Sequence, residues 1–396
     1  MNARATRFPL FDSLRAIAAL CIFGTHVYAV LQGGAGGTFG SAAQHLDVGV
    51  YIFFAISGFL LYRPFVRARL RDETPPRARA YGWRRILRIG PAYWVALTVV
   101  AIWLPLGEVN DLDKAPWLYL FGQSYQWDTA IGGLSQAWSL CVEAGFYVFL
   151  PIWAFGMRSL PLRGARSRLR AELAGLGVLA LAGFAFTKLA LVGGAVDEFG
   201  RWPLHLTLPC FLQVFAIGMC IAVLSVWYED RELPRWLRPV DRFPAIPWVA
   251  ALAAFWVTTQ LSHDGHEGRV NDAHYLERTA LYAIVGAGIV LPAVFGDQAR
   301  GLVRRLLANR ALLGVGLVSY SLFLYHVAVL VQVKRWDLPA GTLVALAGSL
   351  AIATLSYYAI ERPALRLKRL VKARPDSREA IAEPAPVTPP RVTQPS

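Results

Sequence analysis

Ten stretches of the chain are apolar for long enough to cross a lipid bilayer: approximately 13–31, 46–63, 91–107, 137–155, 172–193, 204–227, 244–261, 275–296, 311–331 and 338–360. The polar segments between them alternate in character. Nine arginines fall between Arg63 and Arg88, five in 156–171, four in 228–243 and four in 297–310, and the segment after Glu361 is again basic. The intervening segments are poor in positive charge: 32–45 has none, 108–136 only Lys114, 194–203 only Arg201 and 262–274 only Arg269. Basic loops stay on the cytoplasmic side, so this alternation predicts an all-α polytopic membrane protein of about ten transmembrane helices with both termini in the cytoplasm. The expected location is the cytoplasmic membrane.

Composition supports this. Of 396 residues 56% are hydrophobic and 17% charged, with mean hydropathy +0.42. The 13 Trp, 15 Tyr and 21 Phe suit aromatic belts at two interfaces, and Trp138 falls where such a belt residue is expected. A net charge of +14 raises the question of nucleic acid, but the arginines sit between apolar runs, as topology determinants facing anionic lipid, so no nucleic-acid partner is expected. The four cysteines (Cys21, Cys141, Cys210, Cys220) lie in apolar runs without metal spacing and read as core residues. The first run is too long for a cleavable signal peptide. Residues 1–372 form the expected transmembrane domain, and 373–396, rich in Pro, Ala, Glu and Thr, an expected disordered tail.

Polar residues inside spans carry the candidate chemistry. Arg15 and His26, eleven positions apart in the first run, share one helix face about 16 Å apart. The depth expected for Glu143, a little below the start of the fourth run, matches that of His26, so the two read as a proton-handling pair with Glu143 orienting or charging the histidine. Ser57 and Gly58 fall mid-membrane, as a close helix contact or as an opening beside a channel. Arg85 and Arg88, three apart before Pro91, serve either as positive-inside charge or as a phosphate site; Pro91 suits the first turn of the next helix. Tyr325 and His326 fall in the same layer as His26. Glu361 and Arg362 read as an ion pair or a helix stop. His263 and His266 have metal-compatible spacing without a third ligand and read as loop histidines, so no metal is expected.

Six segments together carry a resemblance. LRAIAALCIFGTH, FFAISGFLL, RRILRIGPAYW, AWSLCVEAGFYVFLP, SYSLFLYH and YYAIERP occur in the order seen in the acyltransferase-3 family of integral membrane O-acyltransferases, and span residues 8–366. The chain resembles that family over nearly all its length. The resemblance implies transfer of an acyl group, acetyl in the simplest case, from cytoplasmic acyl-CoA to a hydroxyl of a glycan, glycolipid or macrolide-type acceptor. It implies His26 as the essential histidine, Arg15 as its partner arginine, Glu143 as the acidic residue of the fourth-span stretch, and Arg85 and Arg88 as the basic pair near CoA. Cys141 and Ala144 depart from that stretch, where the family has a serine and a second acidic residue. The esterase-like domain fused to some members is not expected here, for want of room. The resulting assignment is catalytic His26, as general base or as transient carrier of the acyl group, and Glu143, donor-binding Arg15, Arg85 and Arg88, and substrate-binding Ser57, Tyr325 and His326. The rival reading is a proton-coupled transporter or an acyl-group translocator serving a separate enzyme.

Overall fold

The computed structural model describes residues 8–33, 38–104, 106–192, 203–261 and 272–370. The expected tail 373–396 and the loop residues His263 and His266 lie outside them. Among the described residues every regular element is helical, as a chain in lipid requires, because each backbone N–H must find its partner within its own segment. The helices that follow the apolar runs are α1 (Phe11–Leu31), α2 (Val48–Leu70), α3 (Ala78–Trp103), α4 (Trp138–Ser159), α5 (Ala165–Val192), α6 (Leu212–Trp227), α7 (Ala245–Leu261), α8 (Asp272–Val294), α9 (Arg310–Leu317), α10 (Ser319–Arg335) and α11 (Gly341–Ser356). Eight helices among the described residues are long and apolar enough to span a membrane. The protein is a multi-pass membrane protein.

Two of the ten expected spans differ from simple crossings. The run 311–331 is two helices, α9 and α10, bent by 74°. Asn309 caps α9 by accepting from the Ala311 and Leu312 amides. At the other end of α9 a Cβ on Gly316 would lie 1.9 Å from the Asp12 carbonyl oxygen, so the backbone of α9 rests directly on the start of α1. The run 244–261 yields α7, whose 17 described residues are fewer than those of any of the eight spanning helices.

Helix α2 lies at the centre, mostly buried, against α6, α1, α8 and α4. Where it crosses α6 at Gly58 and Gly218 the two backbones touch directly. A Cβ on Gly58 would fall 2.4 Å from the Phe215 carbonyl oxygen, and one on Gly218 would fall 2.1 Å from that of Ala55. Gly58 therefore serves close packing, the first of the two readings of Ser57–Gly58. Phe54 and Phe146 both stack on Phe215, with centroids 4.7 and 3.9 Å away. Cys141 and Cys210 are buried, Cys21 and Cys220 half-buried, and all four are free.

Helix α3 corrects the expectation for Pro91. The helix begins at Ala78 and passes through the basic stretch, so Pro91 is interior rather than in a first turn. The good helix formers Arg84, Arg85, Leu87 and Arg88 carry the helix up to it, and the single backbone hydrogen bond Pro91 cannot donate is tolerated. Near the other end of the chain a π-helical turn, Tyr357–Glu361, precedes Pro363. That turn faces Glu361 inward, where it is buried.

Candidate active site

The site is built from two levels of polar residues on neighbouring helices. Helices α1 and α10 run parallel: Ala19 packs with Leu322, Phe23 lies beside His326, and Val27 packs with Val329 and Leu330. This register brings His26 and His326 together. Their rings meet edge to face with centroids 4.9 Å apart, and His326 Nε2 lies 3.2 Å from His26 Nδ1.

The surrounding atoms fix both tautomers. His326 Nδ1 lies 2.8 Å from the Phe323 carbonyl oxygen and 3.1 Å from that of Leu322. Carbonyl oxygens only accept, so Nδ1 carries the hydrogen and Nε2 a lone pair. His26 Nδ1 faces that lone pair and the Ile22 carbonyl oxygen at 2.8 Å. Both are acceptors, so His26 Nδ1 is the donor. His26 Nε2 is then the basic nitrogen, and it makes no hydrogen bond among the described residues. One turn of helix and one neighbouring imidazole thus aim a free lone pair from a half-buried ring.

Glu143 is not part of this pair, which corrects the sequence expectation. Its Oε1 accepts from Ser57 Oγ at 2.7 Å and from Tyr147 Oη at 2.8 Å. The error lies in depth. Helix α4 starts inside the protein, because the preceding segment folds into it and buries Gln123, Ser124, Thr129 and Gln136. Gln136 Nε2 donates to the Phe323 and Leu324 carbonyls, already about one turn below His326. Glu143, seven residues further along, lies about 10 Å lower still. That is the level of Arg15, with which it is in electrostatic range. The acidic side chain in range of His26 is Asp47, at the start of α2. Thr25 holds that segment close by donating to the Gln44 carbonyl at 2.9 Å.

The second level gathers the arginines. Arg15 pairs with Asp12 one turn back on α1 at 2.8 Å, so it is an ion pair within its own helix. Arg88 pairs with Glu361 and lies over the Tyr320 ring at 5.7 Å. Glu361, 1% exposed, also accepts from Ser321 Oγ at 3.2 Å. The expected Glu361–Arg362 pair is therefore replaced by Glu361–Arg88, and Arg362 lies over Tyr358 instead. Arg85, one turn before Arg88 on α3, lies over the Tyr81 and Tyr147 rings at 5.9 and 5.7 Å. Its buried Nε meets no hydrogen-bond acceptor among the described residues. A half-buried guanidinium held by two rings, without a carboxylate paired to it among the described residues, fits an incoming anionic group.

Of the expected substrate residues, only His326 lies at His26. Ser57 is engaged with Glu143 at the other level, and Tyr325 is buried in the core with its hydroxyl toward Ser356. Residues that sequence reasoning passed over are Tyr147, Gln136 and Asp47. Asp47 carried a readable signal, an acidic residue next to the start of an apolar run.

The chain resembles known acyltransferases over nearly all its length. A family model described as an acyltransferase domain matches residues 9–361. The acyltransferase MdmB of Streptomyces mycarofaciens is 27% identical over 416 residues, covering 95% of this chain and 97% of the relative. Nodulation protein 10 of Rhizobium leguminosarum bv. viciae is 26% identical over 392 residues, covering 92% and 95%. A putative O-acetyltransferase of Staphylococcus aureus (strain COL) is 23% identical over 376 residues, covering 90% of this chain and 57% of the relative. No solved structure matches.

Proposed function

The chain belongs to the acyltransferase-3 family and is an acyltransferase of the membrane, and from that premise we propose that it moves an acetyl or other short acyl group from cytoplasmic acyl-CoA to a hydroxyl of a glycosylated acceptor, with His26 as general base. The observation that carries this reading is the fixed tautomer of His26, which leaves Nε2 unprotonated and free at the level where Asp47 is near. Relatives named as an acyltransferase and as a putative O-acetyltransferase support the reaction class.

Each residue has a defined task. Arg85 receives a phosphate of the donor, and its unpartnered Nε is the atom that fits one. Arg15 and Arg88, each already paired, add positive potential around that end. From Arg15 to His26 is about 16 Å along α1, a span suited to the extended arm that carries the thioester. His26 Nε2 takes the proton of the acceptor hydroxyl while its oxygen attacks the thioester carbonyl carbon. The C–S bond breaks, and the sulfur leaves with the proton that His26 returns. The products are an O-ester and a free thiol, with His26 restored. Proton transfer of this kind contributes about 10²–10⁴-fold. The membrane interior also keeps water from the thioester.

The test is direct. Membranes holding the protein, given acetyl-CoA labelled in the acetyl group, should form hydroxylamine-labile acetyl esters together with one free thiol per ester. Label that moves across the membrane without ester formation would instead favour a translocator.

His326 is a positioning residue in this scheme, acting through the hydrogen bond it accepts from His26. His326→Leu is expected to lower kcat on the order of 10–100-fold, the usual range for a group that orients a working imidazole, with donor KM unchanged. His326→Gln, whose amide oxygen can accept in place of Nε2, is expected to recover most of the loss. Equal losses in both variants would assign His326 a packing role only.

A further inference from the structure

Beside the His26 level lies a second polar cluster, which the acyl-transfer chemistry above does not use. On α8, Tyr275, Arg278 and Tyr282 are spaced three and four apart and share one face. The Arg278 guanidinium sits 4.8 Å from the Tyr275 centroid and 5.9 Å from that of Tyr282. Tyr282 Oη donates to Asp47 Oδ1 at 2.5 Å, and its ring meets Tyr51 edge to face at 4.8 Å. Two polar atoms here are buried without partners among the described residues: Arg278 Nε and His205 Nδ1. The two residues are within electrostatic range of each other, and Arg278 is within range of Asp47. His205 lies ahead of the spanning helix α6.

Native proteins seldom leave buried polar atoms unpaired, and two in one place point to a ligand with several hydrogen-bonding groups. The charge balance narrows its chemistry. Asp47 lies within electrostatic range of Arg278, so the cluster is close to neutral and offers little net attraction to an anion. Flanking tyrosine rings, an arginine donor and a carboxylate acceptor suit an uncharged ring bearing hydroxyls. The position also fits, because Thr25, adjacent to His26, is bonded to Gln44, three residues before Asp47.

We propose that Arg278, His205 and Asp47 form the acceptor subsite, which holds a neutral sugar ring of the acceptor so that one of its hydroxyls reaches His26. This rests on the general-base reading of His26 only for its last clause. The subsite itself can be tested with no acyl donor present.

The experiment uses the purified protein in a detergent that is not a glycoside. Thermal unfolding is followed against a panel of neutral methyl glycosides, the corresponding long-chain alkyl glycosides and the methyl uronates. At least one neutral sugar should give a saturable rise in melting temperature. Saturation by the methyl compound indicates a soluble glycoside acceptor, and saturation only by the alkyl compound a lipid-borne one. Arg278→Met and Asp47→Asn should each weaken that binding by about tenfold or more, the loss expected for a hydrogen bond to a charged group. Arg278→Lys keeps the charge between the rings and loses the Nε donor, so it should also bind weakly while melting near the parent temperature without ligand. That variant carries the test if Arg278→Met does not fold. Failure of every neutral glycoside to bind the parent protein, binding restricted to the uronates, or unchanged binding in Arg278→Lys would each overturn the proposal. Intact sugar binding with no ester formation would count instead against the acyl-transfer reading.

Discussion

His26→Ala is expected to reduce acyl-ester formation by at least about 10²–10⁴-fold, the contribution of a general base, while leaving the folded protein and its affinity for the donor intact. The expectation follows from what the side chain holds. Nδ1 is committed to the Ile22 carbonyl and to His326 Nε2, so the ring has one free nitrogen and one orientation. Alanine removes the proton acceptor and the donor to His326 Nε2 but no core packing, since the half-buried ring borders the polar cluster rather than filling the core. His26→Gln is the more searching variant. It keeps polarity and hydrogen-bonding groups at that place but has no group that can take up a proton at neutral pH, so it should be as inactive as alanine. Glu143→Gln supplies the contrast. If Glu143 charged His26, its amide would cripple the chemical step. In the present geometry it sits at the arginine level, bonded to Ser57 and Tyr147, and its loss should raise donor KM more than it lowers kcat. The checks are ester formation against acetyl-CoA concentration for all three variants. Wild-type rates in His26→Ala would remove the base from its place.

The contrast between His26 and Glu143 shows how far the chain could be read without its structure. His26 was legible because an ionisable residue deep in an apolar run is costly and therefore conspicuous. The helical period then put Arg15 on the same face, and the helix α1 holds that relation. Depth was the weak step. It was counted from the end of an apolar run, which assumes that runs begin at the membrane surface. For α4 it fails, because the segment before it carries uncharged polar side chains that sink into the bundle, with Gln136 bonding the backbone of α10. Hydropathy cannot tell such a segment from a surface loop. The α9–α10 bend was equally hidden, since an apolar run scores alike whether it is straight or broken, although Asn309 and the pair Gly314 and Gly316 marked the place. The apolar runs themselves were readable for the opposite reason: a segment in lipid must satisfy its backbone internally, and each described run does so as helix.

Partners far apart in sequence were not readable at all, and the pair Arg88–Glu361 is where this has the largest structural consequence. Glu361→Ala is expected to destabilise the protein by about 3–5 kcal/mol, because it leaves Arg88 without its carboxylate between α3, α10 and the π-helical turn. Arg88 is 25% exposed at its side chain and Glu361 1%, so the carboxylate is the member that cannot regain water. Arg88→Ala should therefore be about as damaging, although the arginine is the more accessible partner. The double variant Arg88→Met/Glu361→Gln removes both charges and keeps the volume, and it should recover much of the stability, as apolar replacement of a buried pair commonly does. In that background Ser321 Oγ can still donate to the amide oxygen that replaces the carboxylate, as it does to Glu361. Activity separates the two arginines of α3. Arg85→Ala should leave the melting temperature near that of the parent, since no carboxylate is stranded, and should raise donor KM by roughly tenfold, the loss of one charge-assisted contact. The measurement is the melting temperature of each variant in one detergent, alongside donor KM where activity survives. If the double variant were no more stable than Glu361→Ala, the pair would owe its place to donor binding rather than to holding the helices. The basic pair that looks uniform in sequence would then be one functional unit, instead of one arginine that builds the site and one that fills it.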